Sequence, residues 1–206
     1  MRHFNYEVDE KDFLTKENYL SNIVFNNDKE KEDCLSNFDK HLKFFNDLSM
    51  EEFNNQIIRV INKFKFFQEI NDLNDCMFPG IYIMVLDHYK QMYVGCSNNI
   101  KKRIIRHWKI KVSKDYLSNS VNKTPMGIDC FKALDTTRIF VWHLDYSGLI
   151  KIINIIAEHS NKPLLKNKEY YWLLEDCEGE VIKFIDSRFV CNKYIRNLSI
   201  SLKRNF

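Results

Sequence analysis

The stretch that decides the fold is GIYIMVLDHYKQMYVGCS, which spans residues 80–97. Residues 80–86 follow Pro79 and are rich in β-branched and aromatic side chains, which predicts a strand. Residues 87–91 are polar and few, which is typical of a hairpin loop, and residues 92–97 predict the returning strand. The sequence therefore predicts an antiparallel β-hairpin at the centre of the fold.

A helix is predicted directly after the hairpin. Asn98-Asn99 supply a cap, and residues 100–110 carry one apolar face at helical spacing. Arg103 and His107 lie four residues apart, so their side chains share another face of the helix and can converge on one ligand. Hairpin and helix together gather aromatic, cationic and imidazole groups into a short segment.

This ordered set of residues resembles the signature of the GIY-YIG nuclease family. The matching positions are Gly80-Ile81-Tyr82, Tyr93-Val94-Gly95, Ser97, and Arg103 followed four residues later by His107. The second triplet reads YVG, a variation that the family commonly shows. The resemblance is clear over residues 80–108, extends more faintly to about residue 195, and does not cover residues 1–78.

The resemblance implies an α+β fold with a small, mainly antiparallel three-stranded sheet flanked by helices. Residues 136–144 are rich in β-branched and aromatic side chains and predict the third strand. Residues 79–206 are therefore interpreted as the nuclease-like domain. Residues 1–78 are interpreted as a separate N-terminal helical domain.

The charge of the chain divides at the same place. Of its 31 basic and 28 acidic residues, residues 1–78 hold 10 and 16, a net charge of −6. Residues 79–206 hold the remaining 21 and 12, a net charge of +9. A basic segment can bind a polyanion, because each neutralised phosphate releases counterions.

Helical signals dominate the acidic part. Ser49-Met50-Glu51-Glu52 has the pattern of a capping box. Apolar residues follow it at helical spacing from Phe53 to Phe67, and a weaker stripe spans residues 31–47. We expect these stripes to form core or inter-domain contacts, and we assign them no chemistry.

Composition excludes several classes of protein. The 206 residues are 45% hydrophobic with five glycines and three prolines, which excludes a disordered or collagen-like chain. No run of about 18 uncharged apolar residues occurs, and the N-terminus lacks an apolar signal core, so we expect a cytoplasmic protein with no membrane partner. The six cysteines form no CxxC pair and are expected to be reduced, mostly buried thiols.

The family cleaves phosphodiester bonds, usually in DNA, so the resemblance implies an endonuclease that uses Mg²⁺ or Mn²⁺. Tyr82 and Tyr93 would orient or deprotonate the attacking water. Arg103 offers a fork that fits a phosphate, and His107 can position a phosphate oxygen or a proton near neutral pH. Two glycines have structural roles, Gly95 by letting the backbone approach closely and Gly80 at the start of the first strand.

The metal ligand implied by the resemblance is one glutamate on a helix after the third strand. Two candidates stay open. Glu169 is favoured, because Glu169-Tyr-Tyr-Trp172 is similar to a pattern of homing-type members, whereas Glu158 fits the simple strand-then-helix order better. One carboxylate suffices, because Mg²⁺ keeps several waters. The later acids are expected to be solvated: Glu175, Asp176, Glu178 and Glu180.

DNA is the predicted partner. Its backbone is expected to meet Lys101, Lys102 and Arg106 on the helix. The resemblance also implies a nucleic-acid-binding asparagine near the end of the domain. Asn192, after a strand-like stretch at residues 180–190, is the candidate, and Asn197 is its rival. A homodimer is an open alternative, in which residues 1–78 help to recognise a short palindrome. A second hypothesis keeps the fold and drops catalysis, leaving an inactive nucleic-acid-binding or regulatory module.

Overall fold

The structure is a computed structural model and describes residues 1–20, 23–110, 126–144 and 170–192. Its helices and strands are, in chain order, β1 (Arg2–His3), β2 (Tyr6–Glu7), α1 (Lys16–Leu20), α2 (Asp28–Asp47), α3 (Met50–Lys63), β3 (Gln68–Ile70), β4 (Gly80–Leu86), β5 (Gln91–Ser97), α4 (Ile100–Lys109), β6 (Arg138–His143) and α5 (Tyr170–Phe184). The predicted hairpin, the helix after it and the third strand are confirmed as β4–β5, α4 and β6.

One antiparallel sheet organises the molecule, with its strands in the order β3-β6-β4-β5. In the ladder, Tyr82 lies opposite Gly95 on one side and opposite Val141 on the other. The α+β class and the antiparallel pairing are therefore confirmed. The sheet has four strands instead of the predicted three, because Gln68–Ile70 from the N-terminal part pairs with β6.

The side chains of β4 alternate between two hydrophobic clusters, one on each face of the sheet. Tyr82 and Met84 belong to the first cluster, which includes residues of α2 and α4. Ile81 and Ile83 belong to the second, which includes residues of α3 and α5. All seven residues of β4 are buried, as expected for a strand that is covered on both faces. Residues from both predicted parts of the chain thus share the sheet and both clusters.

The two helices predicted in the acidic part are α2 and α3. Ser49 begins α3, and its hydroxyl accepts a hydrogen bond from the backbone N–H of Glu52 at 3.2 Å. This is the first half of the predicted capping box. Phe53 and Val60 on the inner face of α3 are completely buried in the second cluster, so the apolar stripe forms core as predicted.

Asp135 fastens the N-terminal segment to the sheet. Its carboxylate is completely buried and accepts hydrogen bonds from the backbone N–H of Leu14 at 3.0 Å and of Lys132 at 2.7 Å. The hydroxyl of Tyr89, in the β4–β5 loop, donates a third bond at 2.8 Å. Since a buried carboxylate needs such donors, one side chain connects three distant segments.

The strand-like stretch predicted at residues 180–190 is wrong. The helix α5 continues to Phe184, and a short 3₁₀ turn follows at Ser187–Phe189. Leu174, Cys177 and Val181 are buried at helical spacing. Packing of that face against the sheet outweighs the local β preference of the Val-Ile pair at 181–182. After the helix, Val190 makes a single parallel bridge to Met92 on β5.

All six cysteines lie in described segments, are buried, and form no disulfide, as predicted. Among the helices that the structure describes, none is both long and apolar enough to cross a membrane.

Candidate active site

The β4–β5 ladder places Tyr82 and Tyr93 on the same face of the sheet. Tyr82 pairs with Gly95, and Tyr93 pairs with Met84, so the two tyrosines are diagonal neighbours across the strands. Their ring centroids lie 6.0 Å apart. Tyr82 is completely buried, whereas Tyr93 is partly exposed. Tyr93 is therefore the phenol that solvent can reach.

Two glycines allow backbone and ring to approach closely. A Cβ atom on Gly95 would lie 2.5 Å from the hydroxyl oxygen of Tyr82, which is far inside van der Waals contact. A Cβ atom on Gly80 would overlap the backbone oxygen of Trp142 on β6. Gly95 thus makes room for the phenol, and Gly80 makes room for the pairing of β4 with β6.

His107 lies on α4 between Tyr82 and Asp129. Its Nε2 atom is 3.0 Å from the Tyr82 hydroxyl oxygen, and its Nδ1 atom is 2.8 Å from Oδ1 of Asp129. Burial has the largest effect on the pKa of His107 and lowers it, so the imidazole is neutral at pH 7. The sequence analysis missed Asp129, because it follows His107 by 22 residues and belongs to no motif.

Arg103 precedes His107 by one turn of α4. Its guanidinium lies within electrostatic range of the Tyr82 and Tyr93 phenols. Burial raises the pKa of both Tyr82 and Tyr93 well above the ordinary value, although the charge of Arg103 acts in the opposite direction. The phenols are therefore neutral at pH 7, while the guanidinium keeps its charge.

Glu178 completes the cluster, and the expectation that it is solvated is wrong. It lies on α5 and is partly buried, and Cys96 on β5 acts to lower the pKa of its carboxyl. Burial is the largest effect on the pKa of Glu178 and raises it to about 7, while Arg103 favours the charged form. The carboxylate charge in turn raises the pKa of both Tyr82 and Tyr93. These mutual effects place Glu178 within electrostatic range of Arg103 and both phenols.

One sequence signal could have found Glu178. It follows the buried Leu174 by four residues, so both lie on the same side of α5. A glutamate on the inward side of a helix is unusual and indicates a function or a partner. The two glutamates that were predicted as metal ligands, Glu169 and Glu158, lie outside the described residues. The choice between them stays a prediction.

Asn192 supports the outer edge of β5. Its amide oxygen accepts from the Val94 N–H at 2.9 Å, and its amide nitrogen donates to the Val94 carbonyl at 2.6 Å. One side chain thus makes both bonds that a neighbouring strand would make, and it is only 3% exposed. Its predicted contact with nucleic acid stays a prediction, whereas the contact with Val94 fixes the strand that carries Tyr93.

The outer side of α4 is cationic. Lys102 and Arg106 are exposed, and Lys101 is partly exposed with its Nζ atom 2.6 Å from the Asn74 amide oxygen. These charges continue from Arg103 along the same helix. They provide a positive surface next to the cluster, as a phosphate backbone requires.

In comparisons with known proteins, no family model, curated protein or solved structure matches this chain. The functional argument therefore depends on the geometry of the cluster. Within the described segments, no group of three or more His, Cys, Asp or Glu side chains is placed to hold a metal ion. A site of one carboxylate with several waters has fewer ligands than such a group, and it is the kind of site that Mg²⁺ accepts.

Proposed function

We propose that this protein is a metal-dependent endonuclease of the GIY-YIG type that hydrolyses DNA phosphodiester bonds. The convergence of five groups beside β5 carries the proposal: Tyr82, Tyr93, Arg103, His107 and Glu178. Hydrolysis of a phosphodiester needs an oriented water, an acceptor for its proton, and a fixed positive charge on the phosphate. The phenols orient the water, and Arg103 supplies the fixed positive charge. The neutral imidazole of His107 accepts the proton through the Tyr82 hydroxyl, which is bonded to its Nε2 atom.

Tyr93, alone or with Tyr82, prepares the attacking water. Tyr93 is favoured because it is partly exposed, whereas Tyr82 is completely buried and bonded to His107. Since its pKa is raised, the Tyr93 phenol is neutral and orients the water through hydrogen bonds. Arg103 binds the phosphate and stabilises the negative charge that grows on it in the transition state.

Mg²⁺ or Mn²⁺ would be held by Glu178, with Glu169 and Glu158 as competing ligands. The pKa of about 7 lets Glu178 change between a neutral and a charged form near physiological pH, and Arg103 favours the charged form. A bound cation would neutralise phosphate charge and polarise a water molecule. Cys96 on β5 also favours the charged form of this carboxyl.

Nicking of supercoiled plasmid DNA tests the proposal. We expect cleavage with Mg²⁺ or Mn²⁺ and none with a chelator. Glu178→Gln should abolish it, while Glu180→Gln, on the exposed side of the same helix, should cut normally. If Glu169→Gln or Glu158→Gln abolishes cleavage and Glu178→Gln does not, the assignment of Glu178 as the metal ligand is wrong, but the reaction class stands. A wild-type protein that never nicks DNA with either metal overturns the proposal.

The second candidate is an inactive nucleic-acid-binding module on the same fold. It is favoured by the complete burial of Tyr82, whose hydroxyl is already bonded to His107. DNA binding in a mobility-shift assay that is equally strong with and without metal, together with intact plasmid, would support this candidate. Metal-stimulated nicking would decide against it.

A further inference from the structure

Asp129 belongs to the cluster but has no role in the proposed reaction. It lies in a short 3₁₀ turn, Ile128–Cys130, and both of its neighbours in that turn are buried. The turn is therefore held in the core, while the Asp129 side chain reaches the edge of the cluster at 29% exposure. The His107 side chain that it contacts is only 4% exposed. A carboxylate fixed against a buried imidazole has few alternatives to that contact.

Two hydrogen bonds connect Asp129 to Tyr82 through His107. Asp129 Oδ1 is 2.8 Å from His107 Nδ1, and His107 Nε2 is 3.0 Å from the Tyr82 hydroxyl oxygen. A carboxylate only accepts hydrogen bonds, and a neutral imidazole has one N–H donor and one acceptor nitrogen. The direction of the first bond therefore determines the direction of the second.

Only one arrangement of protons satisfies both bonds when the imidazole is neutral. His107 donates from Nδ1–H to Asp129, and its Nε2 lone pair accepts from the Tyr82 hydroxyl. If the imidazole proton were on Nε2, the Nδ1 lone pair would face the Asp129 carboxylate across 2.8 Å with no proton between them.

We propose that Asp129 is a positioning residue that holds His107 in the Nδ1–H tautomer and thereby orients the Tyr82 hydroxyl. The inference deepens the proposed function, on which its catalytic part rests. Tyr82 connects the attacking water to His107 in that function, so a change at Asp129 reaches the reacting water through two intermediate side chains. The tautomer itself is a property of the folded protein and can be measured without substrate.

Asp129→Asn tests the tautomer. The amide keeps the shape of the carboxylate but brings N–H donors to His107 Nδ1, which favours the Nε2–H form. Nitrogen-15 NMR of the full-length protein reports which ring nitrogen of His107 carries the proton. We expect Nδ1–H in the wild type and a shift toward Nε2–H in Asp129→Asn. Asp39→Asn removes an equal charge at an exposed ion pair with Lys16 and should leave His107 unchanged.

Cleavage kinetics test the consequence for the reaction. We expect Asp129→Asn to lower kcat by about 10²- to 10⁴-fold, the range for an imidazole that loses its function, with KM little changed. Asp129→Glu keeps a carboxylate and should recover part of the rate and the wild-type tautomer. If Asp129→Asn fails to fold, Asp129→Glu serves as the test variant. A folded Asp129→Glu protein in which His107 has lost the Nδ1–H tautomer and kcat has fallen by the same factor would count against the proposal.

The outcomes separate this inference from the proposed function. A shifted tautomer in a protein that never cuts DNA supports the positioning by Asp129 and overturns the nuclease. An unchanged Nδ1–H tautomer in Asp129→Asn overturns the positioning, whether or not the wild type cuts. A shifted tautomer with undiminished kcat overturns the catalytic part alone.

Discussion

The two edges of the four-stranded sheet solve the same physical problem differently. An edge strand presents backbone groups with no neighbouring strand to bond them. At β5, later parts of the chain supply the partners, because Asn192 bonds Val94 and the Cys191 N–H donates to the Met92 carbonyl. At β3, the strand is only three residues long and carries the exposed Gln68 and Glu69. Short length and exposed charge are the usual protection of an edge.

The difference between the two edges shows where functional side chains can come together in this fold. On this side of the sheet, α5 brings the Glu178 carboxyl within electrostatic range of Arg103 and the two phenols. The charged surface of β3 protects that edge without bringing such groups together among the residues that the structure describes. We therefore expect changes at β5 to affect both stability and reaction, and matched changes at β3 to affect neither.

The largest expected effect is on plasmid nicking, which should depend on the cluster beside β5 and not on β3. Arg103→Ala should lower kcat/KM for plasmid nicking by about 10³-fold or more, because it removes the charge that stabilises the transition state. Arg103→Lys should recover little, since an ammonium cannot replace the guanidinium fork. Lys65→Ala, an exposed cation just before β3, should stay within about twofold of the wild type. Equal losses in both variants would show that the β5 edge is not special.

A stability difference is expected next. Asn192→Ala should lower the free energy of unfolding by about 2 to 3 kcal/mol, because the N–H and C=O of Val94 lose their partners in a buried place. Gln68→Ala changes an exposed amide on β3 and should cost less than about 0.5 kcal/mol. Urea denaturation followed by fluorescence measures both. Similar midpoints for the two variants would contradict the comparison.

The pH dependence of stability sharpens the comparison at Glu178. Its pKa is raised from 4.5 to about 7, so between these values the folded state binds more protons than the unfolded state. The free energy of unfolding should therefore fall as the pH rises through this window, by roughly 1 to 2 kcal/mol after allowance for partial exposure. Glu178→Gln should remove this fall, and Glu69→Gln on β3 should keep it.

His107 contributes to the pH dependence of the free energy of unfolding with the opposite sign. A comparison of the wild type with Glu178→Gln cancels this contribution. The pKa of His107 is lowered, so the unfolded state binds the extra proton and stability rises as the pH rises toward the ordinary value of 6.5. This contribution is common to the wild type and Glu178→Gln, and the difference between their pH profiles isolates Glu178. Identical profiles for the two proteins would contradict the raised pKa.

The smallest effect concerns β3 alone. Glu69→Val removes an exposed charge from a strand whose outer side is open among the described residues. We expect cleavage within about twofold and unfolding free energy within about 0.5 kcal/mol of the wild type. Self-association should increase, because the charge that discourages edge-to-edge pairing is gone. Sedimentation velocity at several concentrations measures this, and a strictly monomeric variant would contradict it.

Much of the fold around the hairpin could be predicted because its signals are local. Residues 80–97 carry strand, loop and strand in order, and the period of residues 100–110 fixes which face of α4 bears Arg103 and His107. The strand β3 could not be predicted in the same way. Its three residues have no clear alternation, and pairing with β6, some 70 residues later, decides its structure.

The candidate site likewise contains some residues that the local sequence could predict and others that it could not. Tyr82, Tyr93, Arg103 and His107 belong to one short segment, so spacing alone brings them together. Asp129 joins through a turn in a distant segment, and its role depends on a hydrogen bond that no spacing predicts. The stretch at residues 180–190 was predicted as a strand, and that error hid the inward position of Glu178 on α5.

The carboxylate of Asp135 has a practical consequence for anyone who shortens the chain. Trimming at residue 78 would remove the Leu14 amide from a completely buried acid, and would strip Phe38 and Phe45 from the first cluster. A fragment that begins at residue 79 should consequently be recovered as insoluble material. Recombinant protein should therefore include residues 1–78. If a protease cuts the chain near residue 78, the two fragments should stay associated and co-elute.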